Sequence, residues 1–315
     1  MQQPAVYIII VNYLQWQDTR ECVESILQSG FKNYKIFIVD NASPNNSIAP
    51  LQGWMQEKFT GNYKYWAEKE FRDSANSGNF ASVNLIAHER NGGFASGNNL
   101  VLYKLVNEDG YVWLLNPDMI VRNDTMERLV KFAEAQYSET IIGASILSWP
   151  GNDKLLFYGG GRVRLLSGTV QVIKEKDKLE KLDYISGACL FTHASAFKKY
   201  GLLPEDYFLY WEETDWCYRA KQQGADLLVC RNAVCYDKIS TVIGKCYLAN
   251  YYYSRNGLLF LSKYSRGNVR LALVGNLFRI LKRLAFGQWT RARGIWRGSL
   301  DFLRRRSGSP EVRKY

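Results

Sequence analysis

The amino-acid sequence predicts an α/β fold, in which a mostly parallel sheet is flanked by helices and amphipathic helices follow at the C-terminal end. Short apolar runs that do not alternate with polar residues, such as 6–12, 35–40 and 112–115, are typical of strands buried on both faces. Stretches with the apolar spacing of helices lie between these runs. This alternation predicts a parallel sheet with right-handed crossovers.

The first 150 residues follow the alternation closely. Strands are predicted at 6–12, 35–40, 83–87, 112–118 and 141–147, and helices at 19–28, near 51–58, after the glycine-rich stretch 91–99, and at 124–136. Asp124 is a candidate N-cap of the last of these helices. The polar and aromatic residues up to 81 predict an exposed loop after the helix near 51–58.

The pattern changes after Pro150. We predict short strands within 155–166, an exposed charged segment at 174–181, a strand at 183–192 interrupted by Ser186 and Gly187, helices at 194–200, 213–223 and 247–264, and a strand at 227–236. The predicted organisation is a catalytic domain over 1–245, with halves at 1–120 and 121–245, and a helical region over 246–315.

The residue composition limits which kinds of site and which cellular compartment we expect for the protein. Its 6 cysteines form no CxxC pair and it has only 2 histidines, which argues against a zinc site and for reduced thiols in the cytoplasm. We expect no signal peptide, because no basic segment and long apolar run open the chain. We also expect no membrane-spanning segment, because no run of 18 apolar residues occurs.

The net charge of +11 is concentrated at one end of the chain. Residues 262–315 contain 14 Lys/Arg and 2 Asp/Glu, and the remainder is close to neutral. Apolar residues recur there at helical spacing, with Trp289 and Trp296 among them. Such helices predict peripheral contact with an anionic membrane surface through 268–306, on the inner face of the cell membrane. The alternative is packing against the catalytic domain or against a second subunit of a homodimer.

Polar side chains follow three of the predicted strands. They are Asn12 and Tyr13, Asp40 and Asn41, and Asn116 to Asp118. Carboxyl ends of parallel strands lie at one edge, where open α/β sheets bind ligands. The stretch 91–99 opens a helix there, as in phosphate sites at helix N-termini. Taken alone, an ordinary turn at Asp118 and an ordinary tight connection at 91–99 remain alternatives.

A second candidate cluster contains Glu212, Glu213 and Asp215, within a segment rich in Tyr and Trp. Carboxylates beside apolar rings have raised pKa values and can serve as bases. Glu213 and Asp215 also lie in the first turn of a predicted helix, which the helix dipole favours. A structural role for one of them is therefore an alternative.

Over residues 5–260, the chain resembles family 2 glycosyltransferases of the bacterial rhamnosyltransferase-like group, which have the GT-A fold. The resemblance rests on the order of seven short motifs, at 11–13, 39–43, 91–99, 114–118, 186–188, 208–215 and 253–256. It implies an inverting transfer of a sugar, of the rhamnose, galactose or glucose class, from a nucleotide diphosphate sugar. The implied acceptor is a surface glycan or a saccharide linked to polyprenyl diphosphate.

The resemblance also implies site residues. Asp40 matches the carboxylate that recognises the base, and Asp118 matches a ligand of Mn²⁺ or Mg²⁺. Other matching positions on the donor side are Asn12, Tyr13, Asn41, Gly93, Asn98, Asn116 and Arg255. Glu213 stands where many relatives have an aspartate as general base, with Glu212 as the fallback. Asp237 stands where relatives often have a metal-binding histidine, and it either binds the metal or pairs with Lys238 or an arginine.

Two other functional classes remain as alternatives. A basic, aromatic end could belong to a non-catalytic module that binds nucleotide sugars or nucleic acid. We expect no nucleic-acid partner, because the basic residues keep the spacing of an amphipathic helix and the carboxylates of the main domain would repel a polyanion. A nucleotidyltransferase would need a basic glycine-rich loop near the N-terminus, and residues 12–20 do not provide one.

Overall fold

A computed structural model describes residues 3–74, 80–150, 154–238 and 247–306 of the chain. Its strands are β1 (Ala5–Asn12), β2 (Tyr34–Asp40), β3 (Tyr63–Ala67), β4 (Val83–Ala87), β5 (Gly110–Leu115), β6 (Met119–Val121), β7 (Ile141–Ser148), β8 (Leu155–Tyr158), β9 (Gly160–Arg164), β10 (Thr169–Val172), β11 (Tyr184–Ile185), β12 (Cys189–His193) and β13 (Leu227–Asp237). Its α-helices are α1 (Trp16–Leu27), α2 (Ile48–Phe59), α3 (Glu68–Asp73), α4 (Gly93–Leu105), α5 (Thr125–Glu134), α6 (Ser195–Tyr200), α7 (Glu212–Gln222), α8 (Tyr247–Tyr264), α9 (Val269–Ala285) and α10 (Trp289–Leu303).

The main sheet is mixed, with a parallel half formed by the first five strands. Its order is β3-β4-β2-β1-β5-β12-β7-β13-β6, and β8 pairs with β7. Strand β1 lies between β2 and β5, parallel to both, so the polar ends of these strands meet at one edge. Strand β12 enters antiparallel between β5 and β7. The predicted α/β class with a mostly parallel sheet and flanking helices is confirmed.

The non-alternating runs form strands because helices cover both faces of the sheet. On β1, Ile9 faces a core that includes Leu102 of α4, and Ile8 and Ile10 face the opposite core with Ile26 of α1. All three isoleucines of β1 are fully buried. Each such side chain contributes roughly 2–3 kcal/mol when removed from water, so both cores depend on the same strand.

A smaller sheet stands beside the second half of the main sheet. Strand β9 pairs antiparallel with β10 and with β11. Val163 of β9 and Val170 of β10 pack against a cluster of Tyr207, Trp211 and Phe260. This sheet therefore joins helix α8 to the aromatic segment that precedes α7.

The C-terminal helices pack on one another through small residues. A Cβ atom on Gly298 of α10 would lie 2.4 Å from the Tyr251 carbonyl oxygen of α8, and one on Gly294 would lie 2.6 Å from the Tyr247 oxygen. The Tyr251 hydroxyl donates to Asp301 across this interface at 3.0 Å. Across the described ranges, every helix is too short or too polar to cross a membrane.

Three expectations differ from the structure. The loop predicted up to residue 81 contains β3 and α3, which bury Trp66 and Phe71 although polar residues interrupt both elements. The short strand β6 was not predicted. Asp124 stands at the N-cap position, but within the described chain its carboxylate bonds Arg122 and Arg128 instead of the helix N–H groups. The predicted boundary at residue 245 falls outside the described residues.

Candidate active site

The first corner of the site is a closed hydrogen-bond network at the ends of β1 and β2. The Asn12 amide donates to Asp40 Oδ2 at 2.6 Å, and the Ser43 hydroxyl donates to the same oxygen at 2.8 Å. The Ser43 backbone N–H donates to Asp40 Oδ1 at 2.9 Å. Thr19 of α1 donates to the Asn12 side-chain oxygen at 2.7 Å, which fixes the amide orientation. The Asp40 carboxylate is thereby held in one position.

The start of α4 forms the wall beside this corner. Asn41 donates to the Gly93 carbonyl oxygen at 3.1 Å and to the Asn91 side chain at 2.9 Å. Asn98 donates to the Phe94 carbonyl oxygen at 2.9 Å. Among the described residues, the amide oxygens of Asn41 and Asn98 have no hydrogen-bond partner although both are buried. Since buried polar groups are nearly always paired, these two unpaired oxygens are exceptions at the start of α4.

Gly93 connects this wall to the segment before α7. Its φ is +85°, and a Cβ atom there would lie 2.0 Å from the Phe208 carbonyl oxygen. That oxygen accepts a hydrogen bond from the Phe94 N–H at 3.0 Å. Only glycine fits a position with this backbone conformation and this close approach.

Asn116 and Tyr13 lie between the first corner and the next. The Asn116 N–H donates to the Ala188 carbonyl oxygen at 3.1 Å, so the end of β5 is bound to the segment before β12. Tyr13 directly follows β1 and is half-buried. Both residues are therefore at the predicted edge of the sheet.

The second corner contains Asp118 and Asp237. Asp237 pairs with Met119 in the β13–β6 ladder, and the Lys238 N–H donates to the Asp118 carbonyl oxygen at 3.2 Å. Burial raises the pKa of Asp118 to about 6, and the neighbouring Asp237 carboxylate adds to the rise. The Lys238 ammonium lies 2.8 Å from Asp18 and also pairs with Glu21.

The donor set at this corner fits a hard divalent cation. The Asp237 charge that helps to raise the pKa of Asp118 is a repulsion, which a cation between the two carboxylates would relieve. Within the described ranges, no group of three or more Asp, Glu, His or Cys side chains could hold a metal. A cation here would therefore complete its shell with water and with phosphate oxygens, as Mg²⁺ commonly does.

Residues 207–211, the aromatic segment before α7, have a strained backbone that side chains of α8 hold in place by hydrogen bonds. Phe208, Tyr210 and Trp211 have φ values of 70°, 65° and 81°, which are uncommon for residues other than glycine. Asn256 of α8 donates to the carbonyl oxygens of Tyr207, Leu209 and Tyr210 at 2.8–2.9 Å. Strain of this kind is retained where the surrounding structure fixes it, and it is frequent at functional sites.

Arg255 of α8 also holds this segment in place. Its guanidinium donates to the carbonyl oxygens of Asp206 and Tyr207 at 3.0 and 2.8 Å. The side chain is only 2 % exposed. The structure therefore places Arg255 against the backbone of the aromatic segment before α7.

Helix α7 begins with the three predicted carboxylates. Burial raises the pKa of Glu213, opposed by nearby N–H groups that include that of Gly187. Burial also raises the pKa of Glu212 well above its ordinary value, and the Glu213 charge adds to the rise. Glu212 is 3 % exposed, and its Oε2 atom has no partner in the described chain. Glu213 is the more accessible of the two.

Asp215 is surrounded by donors. The hydroxyls of Tyr207 and Tyr264 donate to it at 2.6 and 2.5 Å, and the Lys263 ammonium lies 2.8 Å away. The residue is 2 % exposed. Asp215 thus joins α7 to α8 within the protein.

Glu213 lines a cleft of about 100 Å³. The other lining residues are mostly aromatic or apolar: Phe157, Val170, Val172, Tyr184, Ser186, Tyr210, Trp211, Thr214 and Tyr253. A Cβ atom on Gly187 would lie 3.0 Å from the Phe94 ring and 3.5 Å from Glu213 Cγ, so the glycine keeps space beside the carboxylate. Flat rings around one acid suit the face of a pyranose ring.

The structure thus gathers the predicted residues at neighbouring positions along one edge. Asn12 and Asp40 end the adjoining strands β1 and β2, and Asn116 and Asp118 follow β5. Glu213 lies against the segment that binds Asn116. Tyr184 and Tyr253 line the cleft from β11 and α8. Sequence reasoning missed Tyr184 and gave Tyr253 no role beyond its place in the motif 253–256, because the aromatic content of a chain does not say which rings meet.

Comparison with known proteins gives a consistent result. The model of Glycosyl transferase family 2 matches residues 7–201. The chain is similar to the low-salt glycan biosynthesis hexosyltransferase Agl10 of Haloferax volcanii, with 25 % identity over 235 residues. This match covers 71 % of the chain and 64 % of that relative, so the chain spans less than two thirds of the relative's length.

Solved structures share the fold. The mannosyltransferase PcManGT of Pyrobaculum calidifontis, in complex with GDP-Man and Mn²⁺, matches with a TM-score of 0.61 at 12 % identity, over 96 % of this chain and 88 % of that chain. GalNAc-T7 with UDP, GalNAc and Mn²⁺ matches with a TM-score of 0.58 at 13 % identity, over 82 % and 51 %. TarS of S. aureus in complex with UDP-GlcNAc matches with a TM-score of 0.51 at 12 % identity, over 85 % and 70 %.

Proposed function

The chain belongs to glycosyl transferase family 2, and on this premise we propose that it is an inverting, metal-dependent hexosyltransferase. It takes its sugar from a nucleotide diphosphate sugar and transfers it to a saccharide of a surface glycan. The observation that carries the proposal is Glu213, an accessible acid with a raised pKa in an aromatic cleft beside the predicted donor edge. Rhamnose, galactose and glucose remain the proposed donor classes.

The nucleotide binds at the first corner in this proposal. Asp40 is fixed by Asn12 and Ser43, so its remaining acceptor capacity is directed at the base without a cost of reorganisation. Asn41 and Asn98 hold the start of α4 beside this corner through the Gly93 and Phe94 carbonyl oxygens, and Tyr13, Gly93 and Asn116 border it. The prediction that Arg255 contacts the donor stays a prediction.

Asp118 and Asp237 would hold the Mn²⁺ or Mg²⁺ ion, which when bound neutralises the departing diphosphate as a Lewis acid. The repulsion between the two carboxylates supports this assignment. The ion pairs of Lys238 with Asp18 and Glu21 hold that ammonium beside the corner. Lys238 thereby limits the negative charge that remains around the two aspartates.

Glu213 is the proposed general base. Its carboxylate takes the proton of the acceptor hydroxyl as that oxygen attacks the anomeric carbon, and the attack from the opposite face inverts the configuration. A raised pKa brings the base closer to neutral pH, where proton transfer is more favourable. Glu212 has the same chemistry but is shielded from the cleft, so Glu213 is the better candidate.

A screen for thermal stabilisation tests this proposal. A ligand that binds only the folded state raises the melting temperature, and a ligand at 100 times its Kd adds about 2.7 kcal/mol of stability. We expect one nucleotide sugar to stabilise the protein in the presence of Mn²⁺ or Mg²⁺, and Asp118→Asn to abolish the metal-dependent part. If stabilisation by every sugar nucleotide is the same with EDTA as with metal, the metal assignment is wrong.

We also propose that α9 and α10 lie on an anionic membrane surface. On α9, Leu271, Val274, Leu277, Phe278 and Leu281 are 52–67 % exposed and share one face, opposite the buried Ala272 and Asn276. Trp289, Trp296 and Leu303 form an exposed row on α10. Residues 266–306 contain 11 basic residues and 1 acidic residue, which suits an anionic lipid surface.

Liposome flotation tests the membrane proposal. We expect the protein to float with vesicles that contain phosphatidylglycerol and to stay in solution with vesicles of phosphatidylcholine alone. A variant that carries Leu277→Ser and Phe278→Ser should lose most of the binding, while Tyr137→Ser, an exposed aromatic on another surface, should not. Equal flotation of both variants would contradict the assignment of this face. Concentration-dependent dimerisation without flotation would assign the face to a homodimer.

A further inference from the structure

Three arginines meet where α9 and α10 approach helix α8. Arg279 and Arg283 are one turn apart on α9, and Arg291 is on α10. Arg283 and Arg291 both donate to the side-chain oxygen of Gln288, at 2.6 and 3.2 Å. We call these three residues the arginine cluster.

The arginine cluster has no acidic partner in the described part of the chain. The side-chain bonds of its members are to neutral amides, those of Gln288 and Asn276. The acid of α10, Asp301, pairs instead with Arg297 and Arg306. The cluster is therefore a local excess of positive charge and not part of an ion-pair network.

Partial burial makes the charge of Arg279 costly. Desolvation lowers the pKa of Arg279, and the like charge of Arg283 lowers it further. Buried charges in proteins are normally paired, because an isolated ion loses its hydration without compensation. A cation of this kind, retained at a helix junction, indicates that an anion binds there.

The cluster also adjoins the cleft. The Arg279 guanidinium lies 6.0 Å from the centre of the Tyr253 ring, and Tyr253 lines the cleft together with Glu213. The Tyr253 hydroxyl accepts the Val170 N–H at 2.9 Å, which fixes the ring between the cleft and Arg279. An anion at Arg279 would thus be one aromatic ring away from the space beside the proposed base.

The opposite side of the same helix carries the exposed apolar row of Leu271, Val274, Phe278 and Leu281. Helix α9 therefore presents an apolar face outward and a cationic face toward the cleft. A molecule that occupies both would have a sugar, then an anionic group, then a hydrocarbon chain. That is the order of groups in a glycolipid whose sugar is joined to a prenyl chain through a diphosphate.

We propose that Arg279, Arg283 and Arg291 bind the diphosphate of a prenyl-linked acceptor, so that its sugar enters the cleft beside Glu213. This inference rests on the proposed transfer reaction and assigns its acceptor class and the residues that select it. Guanidinium groups suit the task because each can donate two parallel hydrogen bonds to phosphate oxygens. The binding also fixes the distance between the membrane surface and the reacting hydroxyl.

Binding of farnesyl diphosphate, a short prenyl diphosphate, tests the inference. We expect the wild-type protein to bind it at least about tenfold more tightly than farnesol, measured by quenching of tryptophan fluorescence. Arg279→Gln and, separately, Arg291→Gln should weaken the binding by at least about tenfold, because each removes a cation from a desolvated pair with the phosphate. Arg270→Gln is the matched control, since it removes one exposed charge from α9 outside the cluster.

Three results would contradict the inference. Equal affinity for farnesol and farnesyl diphosphate, or equal losses in Arg270→Gln and the two cluster variants, would overturn the inference. Competition by dihexanoyl phosphatidylglycerol at the same concentration as farnesyl diphosphate would assign the cluster to phospholipid headgroups and would also overturn it. Arg291→Gln keeps the test decisive if Arg279→Gln fails to fold.

Donor chemistry distinguishes this inference from the proposed function. Metal-dependent hydrolysis of the donor, in which water takes the sugar and the nucleoside diphosphate leaves, needs no lipid, and this release is measured without acceptor. If the wild-type protein and the cluster variants all retain this release while farnesyl diphosphate fails to bind, only the acceptor assignment is wrong. If the release is absent for every nucleotide sugar, the transfer reaction itself is wrong.

Discussion

Two pairs of carboxylates in this protein have opposite surroundings. Asp40 and Asp215 are each held by several donors, from Asn12 and Ser43 in one case and from Tyr207, Lys263 and Tyr264 in the other. Asp118 and Glu213 instead lie in surroundings that raise their pKa values, with burial as the main cause.

The difference teaches which acids can still act on a ligand. A carboxylate whose oxygens accept several hydrogen bonds is fixed in position. It can stabilise the fold, or it can present one remaining lone pair to a ligand. Burial destabilises the charged form of a carboxylate, so binding a proton or a cation stabilises it. This difference supports our proposal of proton transfer at Glu213 and metal binding at Asp118, and it favours a positioning role for Asp215.

Glu213→Gln should give the largest effect. The amide keeps the size of the side chain but cannot accept the proton, so we expect kcat to fall by about 10³-fold. Stabilisation by the nucleotide sugar should remain. In the wild type, the base works only when it is deprotonated, so the rate should fall as pH falls through a pKa raised above that of an ordinary glutamate.

Glu212→Gln is the matched control for this prediction. It neutralises the adjacent buried acid without removing the accessible one, so kcat should change by only about a few fold. If Glu212→Gln is the more damaging substitution at equal melting temperature, Glu212 is the base. If the acidic limb of the pH profile survives in Glu213→Gln, a different group carries the proton.

Asp215→Asn should lower the stability of the protein and leave kcat nearly unchanged. The substitution removes the buried negative charge beside Lys263 and replaces one of the two acceptor oxygens with an NH₂ donor that faces the tyrosine hydroxyls, so we expect the free energy of unfolding to fall by about 3 kcal/mol. Urea denaturation measures this loss, and kcat well below the melting temperature should stay within about a few fold of wild type.

Asp206→Asn provides the comparison. Asp206 also pairs with Lys263, at 3.0 Å, but its side chain is 40 % exposed, so its loss should cost about 1 kcal/mol or less. A loss of kcat in Asp215→Asn comparable to that of Glu213→Gln, without a loss of stability, would show that Asp215 takes part in the chemistry.

Ser43→Ala should give the smallest effect and tests the first corner. It removes a hydroxyl that donates to Asp40 and accepts from the Leu14 N–H at 3.0 Å. We expect a loss of about 1 kcal/mol of stability and a rise of about fivefold in the donor KM, with kcat unchanged. Ser47→Ala removes a buried hydroxyl that bonds Asn45, so it should cost stability but leave KM unchanged. Equal rises in KM would assign the effect to the loop and not to Asp40.

Much of the fold could be predicted because its signals are local. The strand that ends before Asp118, and helix α8 at 247–264, follow from uninterrupted apolar runs and helical spacing. Strand β3 could not be found in this way, because five residues with Lys64 among them carry too little pattern; it exists because Trp66 and Phe71 complete the core beside β4.

The candidate site was predictable in part for the same reason. Strand topology alone brings Asn12, Asp40 and Asn116 together, and the register of β1 with β2 confirms that Asn12 stands beside Asp40. Contacts between distant segments were not predictable. One example is the contact of Arg255 with the carbonyl oxygens of Asp206 and Tyr207, which lie 49 and 48 residues away in the chain.

The sequence by itself determined the α/β class, the polar ends of the strands and the one-sided charge of the C-terminal helices, since each depends on the spacing of neighbouring residues. Only the tertiary structure decided which carboxylates are filled with donors, which rings line the cleft with Glu213, and that Arg279 adjoins Tyr253. These properties depend on burial and on contacts between residues far apart in the chain, and both arise only when the chain has packed.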